Sequence, residues 1–284
     1  MTQRKRRPEG WIAPGPSPRG DLGKPHLAPN EDEDLSFLSG DFRIFQKKRG
    51  HRWSLDDHLT ALYAIRAGRS SNQVVRTADI GCGIGSVLMI VAWAFPNATC
   101  TGIEAQDVSI AMARRSVEYN GIDDRVRLVH GDLRDEIHRL DAGTFDLVTG
   151  TPPYIPIGSG LVSDRTQREP CYFETRGGLE DYCSAASHLL RDGGRFVVCA
   201  GVHPADRGDR AASAAKMFVE RRIDVVPRDG KPVLFRVFVM KKLIDGPPPP
   251  EEFECFVVRD ERGELTDDMK EAKRELGMPE MERA

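Results

Sequence analysis

From Thr77 onward the chain alternates short apolar runs with longer helical patterns, and this alternation restricts the possible folds more than any other feature. Residues 77–81, 99–104, 126–130 and 145–149 read as strands, short β-branched or aromatic-containing runs. Residues 86–94 and 107–119 read as helices, the second stopped by Asn120-Gly121, a good C-terminal cap. Beyond them the pattern predicts a helix over 179–190, a strand over 195–200, a helix over 211–222 and final strands over 223–226 and 233–240. Strict alternation requires a parallel sheet covered on both faces, because each crossover lays a helix against it. The expected architecture is a doubly wound α/β domain with a mostly parallel seven-stranded sheet. At 39% hydrophobic and 30% charged residues, a chain of 284 can bury such a core.

The flanks lack this periodicity. Residues 1–34 hold six prolines in their first thirty positions, then the acidic run Glu31-Asp32-Glu33-Asp34, and read as a disordered tail. The domain is expected over 35–245. Its N-terminal extension, 35–76, should contain a hairpin turning at Lys47-Lys48-Arg49-Gly50 and a helix over 56–66. Residues 246–284, with four prolines at 247–250, read as a polar tail carrying one amphipathic helix over 267–276.

The first strand of the alternating region runs into Asp79-Ile80-Gly81-Cys82-Gly83-Ile84-Gly85 and then directly into a helix. Glycines at such a junction allow a tight turn and close approach of a ligand to the backbone, and the helix start presents unpaired N–H groups. The second strand ends at Glu104, placed to accept hydrogen bonds from both hydroxyls of a ribose, and the third ends in Gly131-Asp132. The Asp79-x-Gly81-x-Gly83-x-Gly85 spacing with a downstream acid resembles the class I methyltransferases that use S-adenosylmethionine, which have a Rossmann-like fold. The resemblance spans roughly residues 40–240. It implies that Asp79, Gly81, Gly83 and Gly85 serve the methionine end of the cofactor, with Glu104 on the ribose and Asp132 beside the adenine.

The fourth strand ends in Thr151-Pro152-Pro153-Tyr154. Two prolines remove two backbone donors and hold Thr151 extended, so carbonyls there can face a ligand, and an aromatic ring can stack on a flat group. Acceptors for both hydrogens of a conjugated amine would free its lone pair for attack on a methyl group. The tetrapeptide resembles the Asn-Pro-Pro-Tyr motif of amino-group methyltransferases acting on adenine, guanine or glutamine, with Thr in place of the usual Asn. Two looser matches, residues 53–60, in which Asp56 aligns with the family's acid, and residues 257–266, resemble bacterial tRNA adenine-N6 methyltransferases of the small-domain group. That resemblance implies an enzyme of RNA modification, and the six scattered cysteines, read as reduced thiols, make a cytoplasmic one the expectation. The alternatives are a protein glutamine methyltransferase and a non-catalytic cofactor-binding module.

Substrate contacts are expected from the basic, aromatic-interleaved strip at 42–53, above all Lys47, Lys48 and Arg49, and from Arg168 in the long stretch after Tyr154. The overall charge of −3 averages opposites: residues 35–78 sum to +5 and residues 247–284 to −6. Six scattered cysteines without a C-x-x-C pair argue against a disulfide frame or zinc site, and the histidines show no ligand spacing, so no metal is assigned. No apolar run approaches a membrane span.

Overall fold

The computed structural model describes residues 9–50, 52–70, 74–153, 177–244 and 246–279. A hairpin of β1 (Glu33–Phe37) and β2 (Arg43–Lys47) precedes α1 (Leu55–Arg69). The alternating region follows as β3 (Arg76–Ile80), α2 (Ser86–Ala94), β4 (Thr99–Glu104), α3 (Asp107–Asn120), β5 (Val126–His130), a short α4 (Leu133–Glu136) and β6 (Phe145–Gly150). After it come α5 (Leu179–Leu189), β7 (Leu190–Ala200), α6 (Arg207–Ala214), β8 (Met217–Val226), β9 (Phe235–Lys242), β10 (Glu252–Val257) and α7 (Asp267–Glu275).

Eight strands form one sheet in the order β10-β8-β9-β7-β6-β3-β4-β5, antiparallel only where β9 meets β7 and β8. Alternate residues of β7 divide the core: Val197 and Cys199 face the layer of α1, α2 and α3, while Phe196 and Val198 face that of α5 and α6. Chain order reverses between β3 and β6. That reversal opens a crevice at the strands' carboxyl ends.

Three expectations give way. The sheet has eight strands rather than seven, because residues 252–257 of the expected polar tail pair in parallel with β8. Only one face of β10 is covered, Phe256 being buried and Phe253 exposed, and such a half-buried edge strand carries too many glutamates to read as apolar. The helix expected over 211–222 stops at Ala214. Lys216 takes a positive φ of 55° and the chain continues as β8, whose buried residues Met217, Val219, Ile223 and Val225 pack at strand spacing.

The third concerns the N-terminus. The acidic run belongs to β1 and to the turn before it, so the hairpin turns at 38–42 rather than at 47–50. Residues 19–28 lie along α3, held by Gly20 N–H to the Tyr119 carbonyl (3.0 Å), Arg19 to Asp123 (3.0 Å) and Lys24 to Glu118 (2.8 Å). Side chains of α3 complete the free edge of β2: Asn120 accepts from Arg43 N and donates to its carbonyl, and Ser116 Oγ accepts from Phe45 N. No helix among the described residues is long and apolar enough to cross a membrane.

Candidate active site

The crevice holds an open cleft that encloses ≈ 710 Å³ of space, bordering solvent included. Its walls come from the ends of four parallel strands and the start of α1. Gly81 and Gly83 contribute the loop after β3, at φ of 69° and 56°, and Gly85 closes that loop at 87° without reaching the cleft. Glu104 is buried at the end of β4. Its Oε2 accepts from Gly83 N (2.8 Å) and its Oε1 from Gln106 N (2.7 Å), so the acid and the loop hold one another. A carboxylate has about four acceptor sites, so this group can accept several hydrogen bonds at once. Thr151 and Pro153 line the opposite wall, and Pro152 is buried behind it.

Asp79 does not line the cleft. Its carboxylate lies beneath the loop, accepting from Leu88 N in the first turn of α2 (3.0 Å) and from the Thr149 hydroxyl of β6 (2.8 Å). Because the α2 N-cap is Gly85, which has no side chain, Asp79 caps the helix from the neighbouring strand. Asp132 does line the cleft, while both its oxygens are engaged by the Arg134 guanidinium (2.8 and 2.6 Å).

A second buried acid joins these from the N-terminal extension. The sequence pointed to Asp56, but it is Asp57 that lines the cleft, its carboxylate accepting from Ser54 N (2.9 Å) and from the Ser86 side chain at the start of α2. Burial pushes both Asp57 and Asp79 up to about 7, with repulsion from Asp56 adding at Asp57 and from Asp57 and Glu104 at Asp79. Among the described residues lining the cleft none is basic. A cavity with this charge suits a cation. Ser86, Gln106 and Tyr182 also line it, and none of the three belongs to a motif legible beforehand.

The basic strip of the hairpin is placed differently. Lys47 Nζ pairs with Asp32 (2.8 Å) and Glu33 (3.2 Å), Lys48 Nζ donates to the Glu31 carbonyl (2.6 Å), and Arg52 pairs with Asp34 (2.6 Å). The acidic run thus neutralises much of the charge that the composition attributed to a phosphate-facing patch, and Lys47, Lys48 and Arg49 do not line the cleft. Tyr154 and Arg168 lie outside the described residues. No group of three or more His, Cys, Asp or Glu side chains that could hold a metal ion occurs among the described residues.

Residues 78–155, from β3 through the tetrapeptide, match the family model described as a methyltransferase domain. The chain's fold is the Rossmann-like methyltransferase fold: a predicted O-methyltransferase from Agrobacterium tumefaciens superposes with a TM-score of 0.58 at 19% identity, covering 79% of this chain and 98% of that one. Among curated proteins, a release factor glutamine methyltransferase of Geobacter sulfurreducens is 31% identical over 156 residues, 52% of this chain and 53% of its own. A tRNA1(Val) (adenine(37)-N6)-methyltransferase of Porphyromonas gingivalis is 31% identical over 131 residues, 45% of this chain and 49% of its own. One of the same name from Bacteroides thetaiotaomicron is 26% identical over 190 residues, 66% of this chain and 76% of its own. The chain spans about half the length of most of the curated relatives it matches. The curated relatives are named for two kinds of target, a glutamine of a protein and an adenine of tRNA. The matched residues supply most of the cleft lining, with Asp57, Gly177 and Tyr182 lying outside them.

Proposed function

We propose that this protein is an S-adenosylmethionine-dependent N-methyltransferase acting on a planar, conjugated amino group, with adenine-N6 in RNA as the substrate. One observation carries the reaction class: the acid that ends β4, the glycine loop after β3 and the Thr151-Pro152-Pro153 segment after β6 all border one cleft. The residues fit the cofactor. Glu104 presents its carboxylate to the cleft, and the described lining, acid-rich and without lysine or arginine, suits a ligand bearing a sulfonium and an ammonium group. When bound, S-adenosylmethionine supplies an electrophilic methyl group for in-line displacement.

The chain's own residues then have three tasks. Glu104 and the loop orient the donor, with Asp79 bracing the loop from below. Thr151, through its hydroxyl, and the carbonyl of Pro152 accept hydrogen bonds from the target amine, drawing it out of conjugation and fixing its approach. Proximity and orientation contribute most of the acceleration, since a sulfonium leaving group needs no strong base. Adenine is favoured by the extent of the likeness to the Bacteroides protein, which covers 66% of this chain and 76% of that one. A protein glutamine side chain is the second reading. It is favoured by the pairing of the hairpin lysines with the acidic run, which lessens the reason for a polyanionic substrate.

The test is label transfer from radiolabelled S-adenosylmethionine to unmodified tRNA and, separately, to recombinant bacterial release factor. N6-methyladenosine in the tRNA digest is the expected result. Label on a release-factor glutamine instead moves the substrate, and label in neither, with the cofactor bound, supports the non-catalytic module.

A further inference from the structure

Tyr182 stands on α5, outside every motif, and its ring fills the gap between two glycines on neighbouring strands. A Cβ built on Gly81, where the cofactor loop begins, would lie 2.0 Å from the Tyr182 hydroxyl. One built on Gly150, the last residue of β6, would lie 2.7 Å from its Cδ1. Gly150 pairs with Ile80 in the β3–β6 register, so these glycines open the two halves of the site. One leads into the loop, the other into Thr151-Pro152-Pro153. At Gly81 the positive φ of 69° already favours glycine, whereas Gly150 lies outside the left-handed region. There it is contact that demands the missing side chain, first with the ring and then with the Ile80 carbonyl oxygen at 3.3 Å.

Three features make Tyr182 a wedge rather than ordinary packing. It is only 5% exposed, yet it lines the cleft, so it forms part of the floor on which a ligand rests. It is anchored from behind by α5, whose Cys183 and Ala186 are fully buried in the same apolar cluster. It is also aromatic, with two torsions to fix, and so holds a separation more stiffly than an aliphatic chain of like volume. Burial and the neighbouring Glu104 and Asp79 carboxylates push its phenol well above the ordinary range, keeping the hydroxyl neutral and able to donate towards the loop.

We propose that Tyr182 is a positioning residue that sets the separation between the cofactor loop and the Thr151-Pro152-Pro153 segment, and with it the alignment of donor and accepting nitrogen. This rests on the reading of the cleft as a methyl-transfer site. Misplacing reacting groups by about 1 Å costs on the order of a hundredfold in rate. Changes at Tyr182 should therefore fall on turnover more than on cofactor affinity.

The experiment compares Tyr182→Phe, Tyr182→Leu, Gly150→Ala and the Gly150→Ala/Tyr182→Leu double variant. Affinity for S-adenosylhomocysteine is read by calorimetry, and single-turnover methyl transfer on whichever substrate accepts label. Tyr182→Phe keeps the ring and is expected to stay within about threefold of wild type in both. Tyr182→Leu is expected to bind within about fivefold and to lose roughly a hundredfold in rate. Gly150→Ala, which crowds the ring most closely and demands no left-handed φ, should lose rate likewise, and the double variant should be no slower than Tyr182→Leu alone. Unchanged turnover in Tyr182→Leu, or losses that simply add in the double variant, overturn the proposal while leaving the methyl-transfer reading intact. Wild-type protein that fails to bind S-adenosylhomocysteine overturns both.

Discussion

Replacing Glu104 by Gln tests the cofactor assignment at its most exposed point. In the structure each carboxylate oxygen already accepts one backbone N–H, Gly83 at 2.8 Å and Gln106 at 2.7 Å. A carboxylate can accept about four hydrogen bonds in all, which is what holding a ribose diol requires. Glutamine replaces one oxygen by an NH2 group, which cannot accept and is driven against a backbone donor at that distance. The variant thus loses one charge-assisted bond to the ligand and loosens the loop. A hydrogen bond to a charged group contributes about 1.5–3 kcal/mol, so affinity should fall about tenfold to about a hundredfold. At a ligand concentration of about a hundred times the wild-type Kd, a hundredfold loss removes most of the ~2.7 kcal/mol of stabilisation that binding confers. Calorimetric titration with S-adenosylhomocysteine measures the first quantity, and the ligand-induced rise in Tm measures the second. Glu104→Asp keeps the charge but shortens the reach by one methylene, and should fall between wild type and Glu104→Gln. If Glu104→Gln is folded and binds as tightly as wild type, the carboxylate does not hold the ribose and the orientation argued above is wrong.

Two further outcomes follow from the charges. Arg115 of α3 pairs with Glu33 (2.7 Å) and also donates to the carbonyls of His26 and Ala28. Burial raises the Glu33 pKa, but bonds from Arg115, the Asn30 amide and Lys47 outweigh it and lower it to about 2. Relative to its ordinary value the whole shift is worth about 3 kcal/mol, shared among the three, so Arg115→Met should lower urea stability at pH 7 by a part of that amount, on the order of 1–2 kcal/mol. The folded pKa is depressed. The contribution is therefore present above pH 4.5 and lost as pH falls through about 2, and the gap between wild type and variant should narrow across that interval. A gap independent of pH would assign the loss to packing over Phe45 instead.

Asp57 and Asp79 work in the opposite sense. Their folded pKa values, about 7, lie above the ordinary 3.8, so the ligand-free native state retains protons that the unfolded chain releases. Their contribution to stability declines as pH rises from about 4 to about 7. A cationic ligand favours the ionised carboxylates, so affinity for S-adenosylmethionine should rise between pH 6 and pH 8 by more than that for S-adenosylhomocysteine, which lacks the sulfonium charge. A ratio of the two dissociation constants that is flat with pH would remove these acids from the sulfonium's surroundings.

Much of the fold was readable because its signals are local. The strands at 99–104 and 126–130 and the helix at 86–94 were expected with the bounds they have, each being set by the spacing of neighbouring residues. Glu104 and the glycine loop were readable for the same reason: a strand's end and its turn chemistry are contiguous in the chain. Where the signal depended on distant partners it failed. Glu31 to Asp34 have the composition of a solvated tail, and only the cations brought to them from β2 and α3 make burial of Glu33 tolerable. Residues 252–257 become a strand because β8 offers a free edge, and α6 ends at Ala214 because β9 captures the chain beyond it.

The amino-acid order by itself therefore determined the α/β alternation, the glycine loop with its acid, and the Thr151-Pro152-Pro153 segment at a strand end. Folding in three dimensions settled which acid of the Asp56-Asp57 pair enters the cleft and that Asp79 braces the loop from beneath it. It also bound the hairpin's cations to the acidic run and set Tyr182 between Gly81 and Gly150. The physical reason is common to all four. Desolvating a charge and filling a gap between strands both depend on the distance between residues remote in the chain, and no local spacing encodes that distance.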